Sequence, residues 1–437
     1  MIGFLLLCLY TLFLLLRPQD FIAPLHGTPL MSIFLGGAML LTLMRRDFGL
    51  RDVPSWALLF LLAVMVLSSA ANGWLGGGVT IVREFGPVVA TYLVYSHQLR
   101  EPGRLGRLCL LVVACTTVMV VHSVQQLETG IGWSGARVVE GNRVTWVGIF
   151  NDPNDLGLMF LVAIPMILMR ARLAASAFMR FCWYGLALFH VYGIYLTHSR
   201  GAVLTLLLLV AVAGYRRYGM ARSAVAALLA SPVMYMVLSS MRSINAEEES
   251  AAGRIEAWYT GIQLFKQNPF LGVGMNNFTE YHDLTAHNSY VLVLAELGLA
   301  GYLFWTLLIA ASALMVWRAR QSRLAAVQAD DEALASGPEG RAFGRRKPAS
   351  NGPSPLVVEG EMLLYTMLAY LSAAFFLSRS YIVVLYMVCG MSVAYFHKVR
   401  AGDASLAAVT GKSLTGFLAL FVPLSLVFLY LVVRVLL

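Results

Sequence analysis

Residues 288–317 read NSYVLVLAELGLAGYLFWTLLIAASALMVW. A single carboxylate, Glu296, interrupts an apolar run long enough to cross ~30 Å of hydrocarbon at ~1.5 Å of helical rise per residue. Similar runs recur along the chain, near 2–16, 28–44, 54–70, 77–96, 108–123, 156–169, 181–197, 201–215, 224–240, 361–377, 381–396 and 414–433. The pattern predicts an all-α, polytopic transmembrane helical bundle of about 12–13 spans. The first run resembles a signal peptide but lacks a basic start and a small-residue cleavage site, and so reads as a span. Composition agrees. The 437 residues are 59% hydrophobic and 13% charged, where a soluble domain carries about 25% charged residues. An ordinary soluble enzyme is excluded, and so is a disordered chain, which needs low hydrophobicity and high charge. The alternating strands of an outer-membrane barrel are absent from the pattern.

The net charge of +9 is not spread evenly. With the N-terminus in the cytoplasm, the inner loops are 45–53, 98–107, 170–180, 216–223, 318–360 and 397–413, and they hold 22 of the 32 Lys and Arg. That bias orients the spans and argues against a nucleic-acid partner. Residues 1–317 read as a transmembrane bundle that includes two periplasmic segments, 124–155 and 241–287. Residues 318–360 contain ADDEALASGPEGRAFGRRKPASNGPSP and read as a flexible cytoplasmic loop. Residues 361–437 are the C-terminal spans. In the structured periplasmic segment 241–287, Ile255, Trp258, Tyr259 and Ile262 fall at i, i+3, i+4, i+7, which predicts an amphipathic surface helix. It is expected to lie on the bilayer with Trp258 and Tyr259 at headgroup level. The five cysteines sit in apolar stretches without CxxC spacing and read as small buried hydrophobes.

The residues that carry chemistry collect on the outer face. His287 stands where the long apolar helix begins, a rigid and partly dry place, and imidazole is the side chain suited to act as a base near neutral pH. The plainer alternative is a polar residue ending a loop. Arg200 lies on the outer side, against the positive-inside bias. It is either a snorkelling anchor or a phosphate ligand, since a guanidinium stays charged when half-buried and binds phosphate in a fork. Arg254 precedes the amphipathic helix and could serve as a partner for Glu247, Glu248 or Glu249, or as an anion contact. Arg83 and Glu84 fall within the fourth run, where charges face a partner or a cavity. Asp152 and Asp155 look like a metal pair. Helix capping is the better reading, with Asp152 as N-cap and Pro153 at the first position. Glu296 faces away from His287 on a straight helix and reads as packing. Cys and His residues show no metal-ligand spacing.

Four stretches then fit together: Asn151-Asp152-Pro153-Asn154-Asp155-Leu156-Gly157; Thr197-His198-Ser199-Arg200-Gly201-Ala202; Gly253-Arg254 and Trp258 followed by Asn268-Pro269-Phe270-Leu271-Gly272-Val273-Gly274; and Ala286-His287-Asn288-Ser289-Tyr290 followed by Glu296-Leu297-Gly298. In this order, on one face of a many-span protein, they resemble the O-antigen ligase/polymerase superfamily of bacterial inner-membrane glycosyltransferases, with an active-site region of about 151–302. The resemblance implies transfer of a glycan from an undecaprenyl-diphosphate carrier to an acceptor hydroxyl at the periplasmic face, with inversion and without metal or other cofactor. The acceptor would be lipid A–core in a ligase, a second lipid-linked glycan in a polymerase, or a protein side chain. The resemblance also implies His287 as the base and Arg200 and Arg254 as diphosphate ligands. Candidate cavity or acceptor contacts are Arg83, Glu84, Arg137, Arg143, His198, Asn288 and Tyr290. A transporter or flippase for lipid-linked oligosaccharides is the alternative. It predicts charges through the membrane depth and pseudo-symmetric halves, and neither pattern is visible.

Overall fold

The computed structural model describes residues 1–139, 142–240, 244–336 and 353–436. Among them the chain is helical throughout, without a named strand. The helices are α1 (Ile2–Leu16), α2 (Leu30–Leu43), α3 (Val53–Ala71), α4 (Gly77–Gln98), α5 (Arg104–Thr129), α6 (Pro153–Arg172), α7 (Ala177–Leu196), α8 (Arg200–Tyr218), α9 (Met220–Ser240), α10 (Ile244–Gln267), α11 (Ser289–Ser336), α12 (Pro355–Ala374), α13 (Val383–Gly402) and α14 (Lys412–Leu436). Every predicted apolar run is a helix. Seven of them, α3, α5, α6, α8, α11, α12 and α14, are long and apolar enough to cross a membrane, fewer than the 12–13 expected. The helices α1 and α2 are apolar but shorter. The others dilute their apolar runs with polar groups: Arg83 and Glu84 in α4, Arg180 and His190 in α7, Arg222 and serines in α9, and His397, Lys398 and Arg400 in α13.

Two helices organise the bundle. The first, α6, packs on α5, α7, α8 and α12, and 83% of its apolar window is buried. The second, α11, packs on α3, α10, α12, α13 and α14. By contrast 17% of the α14 window is buried, and Leu420, Leu424, Val427 and Phe428 are exposed on it. An apolar face left open in this way is what a helix in contact with hydrocarbon presents. Helix starts are capped as their sequences dictate. Asp52, Asp152, Ser176 and Ser199 accept from the backbone N–H groups of Ser55, Asn154, Met179 and Ala202.

The loops sort into two ends. At one end Arg45 pairs with Glu101 (3.1 Å), Arg172 with Glu361 (2.8 Å), and Lys398 with Glu359. These are the loops that the basic residues assign to the cytoplasm, and they meet one another. At the other end Arg143 bonds Thr197 and Asn154, Asp155 pairs with Arg379, and Thr285 bonds Ser378 (2.9 Å).

Three expectations are corrected. The loop expected over 318–360 is helical at both ends, because α11 continues through Ser336 and α12 starts at Pro355, and residues 337–352 of it lie outside the described residues. Arg345, Arg346 and Lys347 lie outside the described residues. The amphipathic helix exists as α10, but Trp258 is buried and packs edge-on to Phe375 at 5.4 Å, so its cover is protein, not lipid headgroups. Its apolar stripe, with Ala257, Trp258, Gly261 and Leu264, covers α11 and its surroundings, and only Tyr259 is exposed as expected. Of the cysteines, Cys109, Cys115 and Cys389 are buried, whereas Cys182 is exposed because α7 turns that face outward.

Candidate active site

The segment that carries His287 is held by a break in α11. Gly298 has φ 61° and ψ −161°, so the helix is interrupted there. The break leaves backbone groups free, and residues 269–274 take them up. Val273 N–H donates to Ala295 O (3.0 Å) and Gly274 N–H to Glu296 O (2.9 Å). Leu299 N–H donates to Pro269 O (2.8 Å) and Ala300 N–H to Phe270 O (3.1 Å). The two glycine motifs therefore answer each other. A Cβ on Gly298 would lie 2.4 Å from the Phe270 carbonyl carbon, and one on Gly272 would lie 2.3 Å from that of Glu296. Buried Glu296 fixes the far side of the turn by accepting from Phe278 N–H (3.2 Å), a packing role as expected. From α3, Ser68 Oγ donates to Leu271 O (2.5 Å), and Asn72, just past the end of α3, donates to Gly272 O (3.0 Å).

His287 follows this clamp with φ 45°, and Asn288 caps α11 by accepting from Tyr290 N–H (2.9 Å) and Val291 N–H (3.2 Å). The imidazole is half-buried. Its pKa is lowered, first by burial and then by the charges of Arg254 and Arg379, with Asp152 opposing. It is therefore neutral at pH 7 and can accept a proton.

The arginines converge beside it. Arg200 is the first residue of α8, where N–H groups and the helix dipole already favour an anion. Gly201 allows α8 to approach Phe376, since a Cβ there would be 2.8 Å from the Phe376 Cβ. Arg254 is half-buried, and among the described residues its Nε has no hydrogen-bond partner. Burial lowers its pKa, the neighbouring Arg143 and Arg200 lower it further, and Asp152 opposes them. Crowded cations of this kind are relieved by a bound anion. Arg254 also lines a narrow cavity of about 10 Å³ with Asn154, Ser199, Gly201 and Phe376, the size of one water.

Phe376 is shared with a second, wider space. A groove of about 790 Å³ runs between α8, α11, α12 and α14, lined among others by Leu204, Leu208, Tyr290, Tyr302, Phe375 and Phe428. Tyr290 turns into it and donates to Leu371 O (3.1 Å).

The candidate residues thus divide. His287, Arg200, Arg254 and Arg143 come together, with His198 next to them. Arg143 also ties the segment before α6 to the α7–α8 turn, through Thr197 O (3.2 Å) and Asn154 Oδ1 (3.2 Å). His198 has its pKa lowered by burial and by Arg143. Arg137 is exposed, on a small bridge with Ile131, and its carbonyl accepts from Thr145 Oγ1 (3.1 Å). Arg83 and Glu84 are both exposed, and Glu84 accepts from Asn276 (3.0 Å), so Glu84 braces the α10–α11 segment from outside. Asn288 serves as a cap and Tyr290 lines the groove. Among the described residues no group of three or more His, Cys, Asp or Glu is arranged to hold a metal ion.

One residue was missed. Arg379, between α12 and α13, donates from Nε and Nη2 to the two oxygens of Asp155, and its backbone N–H donates to Ser289 Oγ (2.9 Å). It joins the starts of α6 and α11. The signal was available, because an arginine in a short outer turn runs against the positive-inside bias just as Arg200 does.

With this geometry in place, comparison with known families is informative. Residues 185–306 match the O-antigen ligase family. The matched O-antigen ligase region runs from α7 into α11 and takes in Arg200, Arg254 and His287, while Asp152, Asp155 and Arg379 lie outside it. It supports the O-antigen ligase/polymerase superfamily and, with the apolar helices, a multi-pass membrane protein of glycosyltransferase-like ligase or polymerase type. A comparison with curated proteins found no match.

Proposed function

We propose that the chain is an inverting glycosyltransferase of the bacterial inner membrane. It moves a glycan from an undecaprenyl-diphosphate carrier to an acceptor hydroxyl at the periplasmic face. The observation that carries this reading is that Arg143 and Arg200 crowd Arg254, whose charge, with that of Arg379, acts on a half-buried, neutral His287. His287 takes the proton of the acceptor hydroxyl, and the oxygen attacks the anomeric carbon. The bond from that carbon to the diphosphate oxygen breaks, and its electron pair leaves on the diphosphate. Arg200 and Arg254 neutralise the charge that grows there. Attack opposite the leaving group inverts the anomeric centre. The apolar groove that begins at Tyr290 and Phe376 suits the first isoprene units of the carrier.

Two arginines and a helix N-terminus supply the charge that a divalent ion would otherwise provide, so the reaction is expected to proceed in EDTA. The test is to incubate purified protein with a lipid-linked glycan and, separately, with lipid A–core or a second lipid-linked glycan. A single shift of lipid A–core identifies a ligase and a ladder without it identifies a polymerase. Transbilayer movement of the donor without any covalent product would favour the flippase alternative and remove the transferase reading.

A further inference from the structure

At the end opposite His287, a groove of about 660 Å³ runs between α6, α7, α8 and α12. Its walls are apolar, with Ile164, Leu168, Leu206 and Val210 among them. Its mouth is cationic. Arg172, Arg216 and Arg217 all stand there, and the one carboxylate among the lining residues is Glu361. That carboxylate is already shared, by Arg172 at 2.8 Å and by Arg320 at 3.5 Å. Arg216 lies over the Tyr365 ring, 5.9 Å from its centre. Among the described residues Arg217 makes no ion pair, and it is exposed. Positive charge therefore exceeds negative at the mouth of an apolar trench.

The position of the trench says what fits it. Arg217 lies on the same helix as Arg200, roughly 25 Å away at ~1.5 Å per residue, which is close to the thickness of the hydrocarbon. Only 22% of the apolar window of α8 is buried, so the trench is reached from the side, through lipid. We propose that this groove binds an anionic phospholipid of the cytoplasmic leaflet, with its phosphate against Arg216 and Arg217 and one acyl chain along the α6–α8 wall. A free phosphate would leave the trench empty, and a zwitterionic lipid would bring its own ammonium to a site with surplus cations.

The test uses purified full-length protein in detergent, with phosphatidylglycerol or phosphatidylethanolamine of matched chains, and native mass spectrometry to count retained lipid. Phosphatidylglycerol is expected to be retained preferentially. Arg216→Ala with Arg217→Ala should weaken its binding about thirty-fold, since each juxtamembrane arginine contributes roughly fivefold. Ala213→Trp, which fills the trench and leaves the arginines in place, should weaken it as well. Arg46→Ala, an exposed arginine in another inner loop, should not. Equal retention of both lipids, full competition by inorganic phosphate, or wild-type binding in either groove variant would overturn the proposal. If the double variant does not fold, as judged by its unfolding midpoint, Ala213→Trp decides alone.

Discussion

Two helix starts on the same face are built alike and serve different ends. His198 (φ 48°) precedes Ser199, the cap of α8, and His287 (φ 45°) precedes Asn288, the cap of α11. In both, a histidine takes the left-handed conformation that lets the chain turn sharply into a helix, and burial depresses its pKa. They differ in surroundings. His198 lies against Tyr195, 5.8 Å between ring centres, and the charge acting on it is that of Arg143. His287 feels Arg254, Arg379 and Asp152, and it ends a segment pinned to the break in α11. A neutral, half-buried imidazole is therefore not enough to mark a base. What distinguishes the two is which charges act on them, Arg254 and Arg379 on His287 against Arg143 on His198, and that only His287 ends a segment pinned to the break in α11.

The largest expected effect tests that distinction directly. His287→Ala should lose about 10²–10⁴-fold in single-turnover rate and keep its donor affinity, because a base acts on the acceptor hydroxyl. His198→Ala should lose less than about tenfold, well short of removing a base. Arg200→Ala and Arg254→Ala should lose both rate and donor affinity, and Arg200→Lys should rescue poorly because one ammonium cannot reproduce the guanidinium fork. Equal losses in the two histidine variants would break the comparison, and wild-type turnover in His287→Ala would remove His287 as the base.

Next in size is the pair that ties the start of α11 to that of α6. Asp155 is almost wholly buried, with 2% of its side chain exposed. Removing Arg379 leaves that carboxylate without its cation, so Arg379→Ala should cost about 3 kcal/mol in stability, read from unfolding in detergent. Arg143→Ala removes two hydrogen bonds of 3.2 Å at a half-buried site and should cost about 1 kcal/mol. A reversed order would mean that the α7–α8 turn, and not the α6–α11 junction, holds this face together.

Gly298→Ala sharpens the contrast from the backbone side. The residue has positive φ, and a Cβ meets the Phe270 backbone, so about 1–3 kcal/mol should be lost. The damage should reach the His287 side first, with turnover falling more than overall stability accounts for. Unchanged turnover per folded molecule would show that the clamp at Gly298 does not position His287.

How much of this was legible follows from what each pattern encodes. Apolar runs report helices whatever their partners, so all the helices were visible, and Asp152-Pro153 announced a cap that the backbone requires. The glycines of Asn268–Gly274 and Glu296–Gly298 were visible only as separate motifs. That they hydrogen-bond to each other is a fact of tertiary pairing with no local signature. Trp258 was misplaced for a related reason: periodicity finds an apolar stripe but cannot tell lipid from a neighbouring helix as its cover. Arg379 was missed because a lone arginine in a short turn carries no motif, although its side of the membrane already made it unusual.

The smallest expected effect isolates charge from structure. Asp152 opposes the lowering of the His287 pKa, and its side chain caps α6 by accepting from Asn154 N–H (2.7 Å). Asparagine caps a helix about as well as aspartate, so Asp152→Asn removes the charge and keeps the cap. A base must be deprotonated, so kcat/KM for the donor falls as pH drops through the His287 pKa of the free enzyme, which lies below the ordinary value of about 6.5. Losing a carboxylate that favours the protonated form moves that acid limb to still lower pH. Bound diphosphate acts in the other direction, so the limb in kcat should lie above the limb in kcat/KM. Neither limb should move in His198→Ala. A limb that shifts with His198 and not with Asp152 would assign the titration to the wrong start, and with it the base.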